Sequence, residues 1–255
     1  MAGTLYIVAT PIGNLDDMPP RVAATFGAAD FIAAEDTRVT MKLLNFLGLK
    51  KPMVSYYEHA LQKGEGILRR IEAGESCALC SDAGMPCVSD PGEVIVRDAL
   101  ARGIKVVPVP AASACVTALA VSGQDTSRWV FEGFLPVNRK QKKERLADLL
   151  QEKRTVIFYE APHKLRTTLD DVCQCAFRLL KDGGRFALCH RPERLAEVLA
   201  VLRANRLESK RLAFVKNKAD GAPWLFLVEA QKNRKTGLRV EPDVLISAGA
   251  ALYGR

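Results

Sequence analysis

The chain has 255 residues, of which 48% are hydrophobic and 26% charged, and its 37 Lys and Arg against 29 Asp and Glu give a net charge of +8. This length can bury a core in one domain or two, and the composition excludes a disordered chain. No apolar run approaches the roughly 20 residues of a membrane span, and residues 1–10 lack the basic region and cleavage site of a secretory signal. We therefore expect a cytoplasmic protein without a membrane segment, with a basic balance that favours a polyanionic partner.

Short apolar runs alternate with stretches of helical periodicity in the first half of the chain. The runs are residues 5–9, 31–34, 53–55, 77–80 and 106–109. Helical spacing is clear in residues 39–46, 67–71 and 93–102. This alternation predicts an α/β fold, with a largely parallel sheet covered by helices and a ligand site at the carboxyl ends of its strands.

Loops rich in Pro, Gly, Asp and small residues follow four of these runs, at residues 10–14, 35–38, 81–92 and 110–114. In the third loop small residues let a ligand approach the backbone, and Asp82 offers an acceptor for ligand hydroxyl or amino groups. A plain strand-to-helix connection uses the same residue types. Four such loops at one edge of a sheet nevertheless favour a cleft.

A second α/β unit is predicted after the turn at residues 123–127, which divides the chain into domains 1–125 and 126–255. It carries a strand at 129–134, a charged helix at 139–152 and a strand at 155–159. Glu160 and His163 follow that last strand and can perform acid–base work, since histidine titrates near neutrality and a carboxylate can orient it. Alternatively, Glu160 caps the next helix and His163 is merely exposed.

Basic residues crowd the start of the charged helix, and they are Arg139, Lys140, Lys142, Lys143 and Arg145. Such a run is typical of a solvated helix face. It is also typical of a patch that contacts the phosphates of a nucleic acid.

Seven cysteines, several of them inside apolar runs, suit reduced core thiols better than a disulfide framework. Cys77 and Cys80 form a CxxC pair, but in a strand their side chains point to opposite faces. We therefore expect no metal site. The glycine-rich dinucleotide fingerprint, the phosphate-binding loop of nucleotide triphosphatases and the G-x-S-x-G motif are all missing from the sequence, so those three enzyme classes are not supported.

Five motifs, taken together and in order, resemble the RsmI-type 16S ribosomal RNA (cytidine-2'-O)-methyltransferases of the tetrapyrrole methylase family. They lie at residues 10–15, 35–38, 81–92, 132–136 and 159–163. The resemblance implies two α/β domains with a cofactor cleft between them, S-adenosyl-L-methionine as cofactor and a homodimer. It also implies transfer of a methyl group to a ribose 2'-hydroxyl of 16S rRNA in the small ribosomal subunit.

On this resemblance, site residues carry over by position. Cofactor-binding positions, acting largely through their backbones, are Pro11, Ile12, Asp82, Gly84, Met85, Ser113 and Ala114. Candidates for positioning the 2'-oxygen and removing its proton are Glu35, Asp36, Arg38, Glu160 and His163. The basic residues of the charged helix would meet RNA phosphates without reading sequence.

The chain departs from the family at two small positions and at its tail. Family members usually have glycine in place of Ala111, where alanine would crowd the loop if a positive φ were needed, and asparagine in place of Ala60. From about residue 169 the segments 168–172, 179–188, 190–195 and 207–212 instead resemble the C-terminal part of Rossmann-type tRNA adenine-N6 methyltransferases that modify valine tRNA. A join at 168–172 indicates a fusion of two gene segments or an assembly error, and it makes the second domain atypical.

The resembling tail would bring only late strands, without that fold's glycine-rich loop or Asn-Pro-Pro motif, and would be inactive alone. Its pattern predicts strands at 185–189 and 224–228 and a helix at 193–204, so it can substitute approximately for the family's own second domain. Two alternatives stay open. One is a tetrapyrrole-family methyltransferase acting on a small molecule or protein, and the other is an inactive RNA-binding fusion product.

Overall fold

The computed structural model describes residues 2–57, 61–161, 165–216 and 218–245, and the chain divides into two compact units. The first unit runs to Ala118 and the second begins at Leu119. The division therefore lies inside a helix, a few residues before the predicted boundary at residue 125. The turn that suggested the boundary follows that helix, which itself carries the chain from one unit to the other.

A parallel five-stranded sheet forms the centre of the first unit, as predicted. Its strands are β1 Thr4–Val8, β2 Phe31–Ala34, β3 Met53–Ser55, β4 Cys77–Cys80 and β5 Lys105–Val109, in the spatial order β3-β2-β4-β1-β5. The helices are α1 Pro20–Ala28, α2 Thr37–Phe46, α3 Leu61–Glu72, α4 Glu93–Ala101 and α5 Ala114–Val121. Every strand pair in this sheet is parallel, so each connection must cross over through a helix.

Both faces of the sheet are buried, which explains why its strands read as continuous apolar runs. Leu5, Phe31 and Cys77 point to the face covered by α3 and α4. Ile32 and Cys80 point to the other face, under α1 and α2. The expected opposite orientation of the two cysteines is confirmed, and burial raises the pKa of both thiols, that of Cys80 to about 12.

The connections that follow the adjacent strands β1 and β4 run toward opposite edges of the sheet. From β1 it passes through α1 to β2, and from β4 it passes through α4 to β5 on the other side of the sheet. Helices α1 and α4 lie on opposite faces. Open α/β sheets bind ligands beyond the carboxyl ends of strands at such a reversal, so the loops after β1 and β4 are the first place to look for a site.

The second unit contains a two-stranded parallel sheet, β6 Trp129–Phe134 with β7 Thr155–Tyr159, and a larger sheet built by the tail. The central strands of the larger sheet, β8 Arg185–His190, β10 Leu225–Lys232 and β9 Leu207–Lys216, run antiparallel in that spatial order. Short strands β11 Arg239–Val240 and β12 Val244–Leu245 pair with β9. The helices are α6 Arg139–Asp148, α7 Leu165–Leu179 and α8 Leu195–Ala204. The predicted elements of the second unit are thereby confirmed, with shifted ends.

Helix α7 contains the predicted family switch at 168–172 and packs in two directions. Val172 and Cys175 join a small core with Leu146 of α6. Leu169 and Cys173 join a larger core with α8, β9 and β10. Residues before and after the switch therefore share the small core, while the larger core is built by residues from Leu169 onward. Helix α7 contributes to both cores and so integrates the tail into the second unit.

Replacing Leu169 by alanine tests this integration. The side chain is 4% exposed, and a cavity at such a site should lower the free energy of unfolding of the second unit by about 3 kcal/mol. Urea denaturation followed by circular dichroism measures the loss. Arg203→Ala, at an exposed position on α8, is the control and should change little. Equal, small effects of both variants would mean that the tail does not pack on α7.

Candidate cofactor-binding site

The loops after β1 and β4 are joined through their backbones. Thr10 and Gly84 exchange two hydrogen bonds, with N···O distances of 2.9 and 3.0 Å. The fully buried Thr10 also donates its hydroxyl to the Ser81 carbonyl oxygen at 3.1 Å. A Cβ on Gly84, whose φ is +86°, would lie 3.6 Å from the Ile12 side chain. The predicted cofactor residues of these two loops therefore lie together, and Thr10, which sequence reasoning did not single out, holds them.

The loops after β2 and β4 are joined by two carboxylates. Glu35 Oε2 accepts a hydrogen bond from the Asp82 backbone N–H at 3.4 Å. Asp82 Oδ1 in turn accepts one from the Asp36 backbone N–H at 3.2 Å. Each acid thus holds the neighbouring loop, and one oxygen of Asp82 is engaged by the fold before any ligand binds.

Glu35, Asp82 and Asp90 form a half-buried acidic cluster. Burial raises the pKa of all three carboxyl groups, and the negative charges of Asp82 and Asp90 raise that of Glu35 further. Sequence reasoning did not single out Asp90. Asp90 is visible in the sequence as a second aspartate on the loop that carries Asp82. Its approach to Glu35 and Asp82 depends on the tertiary path of that loop, which the sequence pattern does not predict. A cationic ligand group would relieve the repulsion within this cluster.

Asp36 and Arg38 are occupied with each other. Asp36 caps α2 by accepting from the Arg38 backbone N–H at 2.8 Å, and it pairs with the Arg38 guanidinium at 2.6 Å. These bonds lower the pKa of Asp36 to about 2. A carboxylate so stabilised is a weak base. The geometry therefore argues against proton removal by Asp36 and favours a structural role for the pair.

The loop at residues 81–92 is held in an unusual backbone path. Cys87 and Ser89 have φ values of +69° and +62°, which L side chains rarely adopt. Gly92 has a φ of +143°, and a Cβ there would lie 2.3 Å from Cys87 Sγ. The Met85 side chain is partly buried and packs against the core on the α3–α4 face of the sheet. This packing agrees with the expectation that Met85 contacts the cofactor largely through its backbone.

After β5, Ala111 packs against the core shared with α1 and α2 and is not among the residues with positive φ. Alanine is therefore accommodated where family members usually have glycine. The Ser113 carbonyl oxygen accepts a hydrogen bond from the Thr117 backbone N–H at 2.9 Å. The Ser113 hydroxyl lies 3.3 Å from Cys115 Sγ. Ser113 and Ala114 thus stand at the start of α5, at the carboxyl end of the sheet.

The candidates in the second unit are described only in part. Glu160 Oε1 accepts a hydrogen bond from the Ala161 backbone N–H at 2.8 Å. His163 lies outside the described residues, as does Ala60. The proposed pairing of Glu160 with His163 therefore stays a prediction.

The basic residues of α6 separate into three kinds. Arg139, Lys140 and Lys143 are exposed. Arg145 is exposed but forms a two-pronged ion pair with Glu132, at 2.7 and 2.9 Å. Lys142 is only 5% exposed and binds Asp171 on α7 at 2.9 Å. Lys142 faces inward because it lies on the buried side of α6, so the prediction that it contacts phosphate is not supported.

Within the described part of the chain, no group of three or more His, Cys, Asp and Glu side chains is arranged to hold a metal ion. Among the helices described there, none has the length and apolar character needed to cross a membrane.

Residues 4–190 match the family model of the Tetrapyrrole (Corrin/Porphyrin) Methylases. The chain belongs to this family. The match covers all of the first unit from β1 onward and ends with β8 of the second unit. As a tetrapyrrole methylase, the chain carries its candidate site in the first of the two units, while the strands after β8 lie beyond the match.

Curated relatives share close sequence identity with this tetrapyrrole methylase. The Ribosomal RNA small subunit methyltransferase I of Halalkalibacterium halodurans is 50% identical over 171 residues, which is 67% of this chain and 59% of that protein. The protein of the same name from Pasteurella multocida is 48% identical over 173 residues, 68% of this chain and 62% of that protein. The chain thus spans about 59–62% of the length of these relatives.

Solved structures of low sequence identity share the fold. A diphthine synthase matches with a TM-score of 0.58 at 16% identity, covering 90% of each chain. A uroporphyrin-III-C-methyltransferase from Thermus thermophilus matches with a TM-score of 0.54 at 14% identity, covering 91% of this chain and 95% of that one. The predicted α/β tetrapyrrole-methylase fold is confirmed.

Replacing Glu35 by glutamine should stabilise the first unit at neutral pH. The raised pKa means that the folded state holds the Glu35 proton more tightly than the unfolded state does, so stability falls as pH rises above the ordinary value of 4.5. Glutamine cannot ionise. We expect a Tm about 2 °C above wild type at pH 7 and no difference below about pH 4.

Thermal unfolding at the two pH values measures this effect. Glu144→Gln, at an exposed position on α6, is the control and should show little change at either pH. A Tm shift of Glu35→Gln that is independent of pH would contradict the electrostatic account.

Replacing Lys142 by alanine should destabilise the second unit, because it leaves Asp171 without its ion-pair partner in a largely buried place. The expected loss in unfolding free energy is about 2–3 kcal/mol. Lys140→Ala removes the same charge from an exposed position and should leave stability nearly unchanged. Urea denaturation compares the two, and equal losses would show that Lys142 has no special structural role.

Proposed function

We propose that the protein is an S-adenosyl-L-methionine-dependent methyltransferase that modifies the ribose 2'-hydroxyl of a cytidine in 16S rRNA of the small ribosomal subunit. The observation that carries the proposal is the 48–50% identity, over 171–173 residues, to relatives named Ribosomal RNA small subunit methyltransferase I. We further propose, from the family resemblance, that it acts as a homodimer in the cytoplasm.

The candidate site suits this cofactor. Its acidic cluster of Glu35, Asp82 and Asp90 complements a ligand that carries positive charge on a sulfonium and an ammonium group. The joined loops bring the backbones of Thr10 and Gly84 together, and the Ile12 side chain lies beside Gly84. Pro11, Met85, Ser113 and Ala114 supply the remaining proposed contacts. When bound, the cofactor supplies an already activated methyl group.

The residues of the chain then have to orient the 2'-hydroxyl and accept its proton. Among the candidates Glu35, Asp36 and Arg38, Glu35 is the proposed base, because its raised pKa makes it more basic than an ordinary carboxylate. Asp36 and Arg38 hold the start of α2 and the loop that carries Glu35. Glu160 and His163 are further proposed candidates for these tasks.

The exposed cations of α6 are proposed to contact RNA phosphates. Arg139, Lys140 and Lys143 project from the helix surface, and Arg145 is oriented by Glu132. Contacts of this kind set the position of the RNA without reading its sequence.

Isothermal titration with S-adenosyl-L-methionine tests the cofactor site. Asp82→Ala removes the charge and the brace to Asp36, and we expect a roughly tenfold or greater loss of affinity, about 1.4 kcal/mol. Asp82→Asn keeps an oxygen for the brace and should bind with intermediate affinity. A folded wild-type chain that binds no cofactor would overturn the proposal and favour an inactive RNA-binding protein.

Methyl transfer to small ribosomal subunits that lack the modification tests the reaction, with digestion and nucleoside analysis to locate the methyl group. The product should be 2'-O-methylcytidine. Glu35→Gln should lower kcat by roughly 10²-fold or more, the contribution of a general base, while cofactor affinity changes much less. If the chain binds the cofactor and methylates a small molecule or protein but not RNA, the alternative of a tetrapyrrole-family methyltransferase with such a substrate is favoured.

A further inference from the structure

An open cleft in the second unit lies outside the site described above. It has a volume of about 340 Å³ and is lined by Gln174, Phe177, Arg178, Ala204, Asn205 and Arg206. We name these six residues the Phe177 cleft. The lining comes from the C-terminal half of α7 and from the turn between α8 and β9. Arg206 itself lies beyond the part of the chain that matches the family model.

Two cations lie against the Phe177 ring. The Arg206 guanidinium carbon is 4.2 Å from the ring centroid, and Lys232 Nζ is 4.4 Å from it. Lys232 also donates to the Leu180 carbonyl oxygen at 2.7 Å, which fixes it near the C-terminal end of α7. The aromatic ring thus holds two positive charges close together at the cleft.

These positive charges are not neutralised within the described residues. There, Arg178, Arg206 and Lys232 make no ion pair, although other arginines of the same unit do. Those that are paired include Arg185 with Glu229, Arg194 with Glu197 and Arg211 with Glu241.

The acid beside the cleft, Asp170, accepts amide hydrogens from Gln174 and Asn205, each at 2.8 Å. It therefore orients two amides of the lining. It pairs with none of the three cations.

The backbone at Arg206 is strained, with a φ of +57°. Glycine or asparagine adopts this conformation at lower cost than arginine does. The guanidinium of Arg206 is nevertheless presented to solvent there, backed by the Phe177 ring. Arg206 directly follows the C-cap residue of α8, a position where a residue in the left-handed conformation commonly ends a helix.

We propose that the Phe177 cleft binds a nucleotide unit of single-stranded RNA, as a second RNA contact that rests on the function proposed above. Its cations suit a phosphate, and an exposed guanidinium backed by a ring is a platform on which a base can stack. The amide nitrogens of Gln174 and Asn205 donate to Asp170, and that of Asn205 also donates to the Val201 carbonyl oxygen. Their side-chain carbonyl oxygens suit the donor groups on the edge of a base. An acidic protein segment would pair with the cations but has no base to stack on the Arg206 guanidinium. The net charge of +8 also favours a nucleic acid as the partner.

Arg206→Gly is the sharpest test, because it removes the charge and relieves the strained φ together. The variant should unfold at or above the wild-type Tm. Its affinity for a fluorescein-labelled single-stranded RNA of about 12 nucleotides, measured by anisotropy, should fall roughly fivefold, and the salt dependence should lose about one phosphate contact. Arg178→Gln should act in the same direction.

Arg239→Ala is the matched control. It also removes one positive charge, but Arg239 is ion-paired with Glu241, which keeps Arg211 as a partner. RNA affinity equal in Arg206→Gly and Arg239→Ala would overturn the inference. Methyl transfer and cofactor binding by the same wild-type preparation would then show that the proposed function stands without it.

Two further outcomes separate the remaining explanations. A folded wild-type chain that does not bind the single-stranded RNA would overturn the inference, and methyl transfer to small ribosomal subunits by the same preparation would show that the proposed function stands. Polyglutamate that displaces the labelled RNA as effectively as unlabelled RNA does would assign the cleft to acidic polymers in general and overturn its assignment to RNA.

Discussion

The site depends on hydrogen bonds that join three loops at the carboxyl edge of the parallel sheet. Thr10 pairs with Gly84 through the backbone. The carboxylates of Glu35 and Asp82 accept backbone N–H groups between the loops that follow the adjacent strands β2 and β4. Loops are the least constrained parts of a chain, so a ligand site built from them needs such bonds to hold its shape. The buried strands determine where the loops begin, and these hydrogen bonds determine the path of the loop backbones.

The same bonds carry an electrostatic cost. Three carboxyl groups with raised pKa values are gathered where water is partly excluded. A cluster that repels itself in the free protein favours whichever ligand brings positive charge, and sites tuned for chemistry often destabilise the fold that holds them. Asp36 differs from these three acids. Its charge is paired with Arg38, and its side chain caps α2, which favours a structural role.

Helix α7 shows how the residues before and after the predicted family switch can pack in one unit. Its 15 residues place Cys173 on one core and Cys175 on another. A single amphipathic helix can thus accept any partner that buries the right amount of apolar surface, even where detailed complementarity is incomplete. The tail also supplies Arg206 and Lys232, so its contribution is a charged surface as well as a core.

Periodicity and apolar runs alone determined the parallel sheet, the positions of most helices and the four loops, because burial on both faces of a sheet leaves an unmistakable local pattern. They did not reveal that Lys142 points inward, that Asp90 joins Glu35 and Asp82, or that Thr10 ties two loops together. Each of those facts depends on residues far apart in sequence meeting through packing or backbone hydrogen bonds. Only the tertiary structure decides such meetings, since no local preference encodes which side of a helix or loop will face a distant partner.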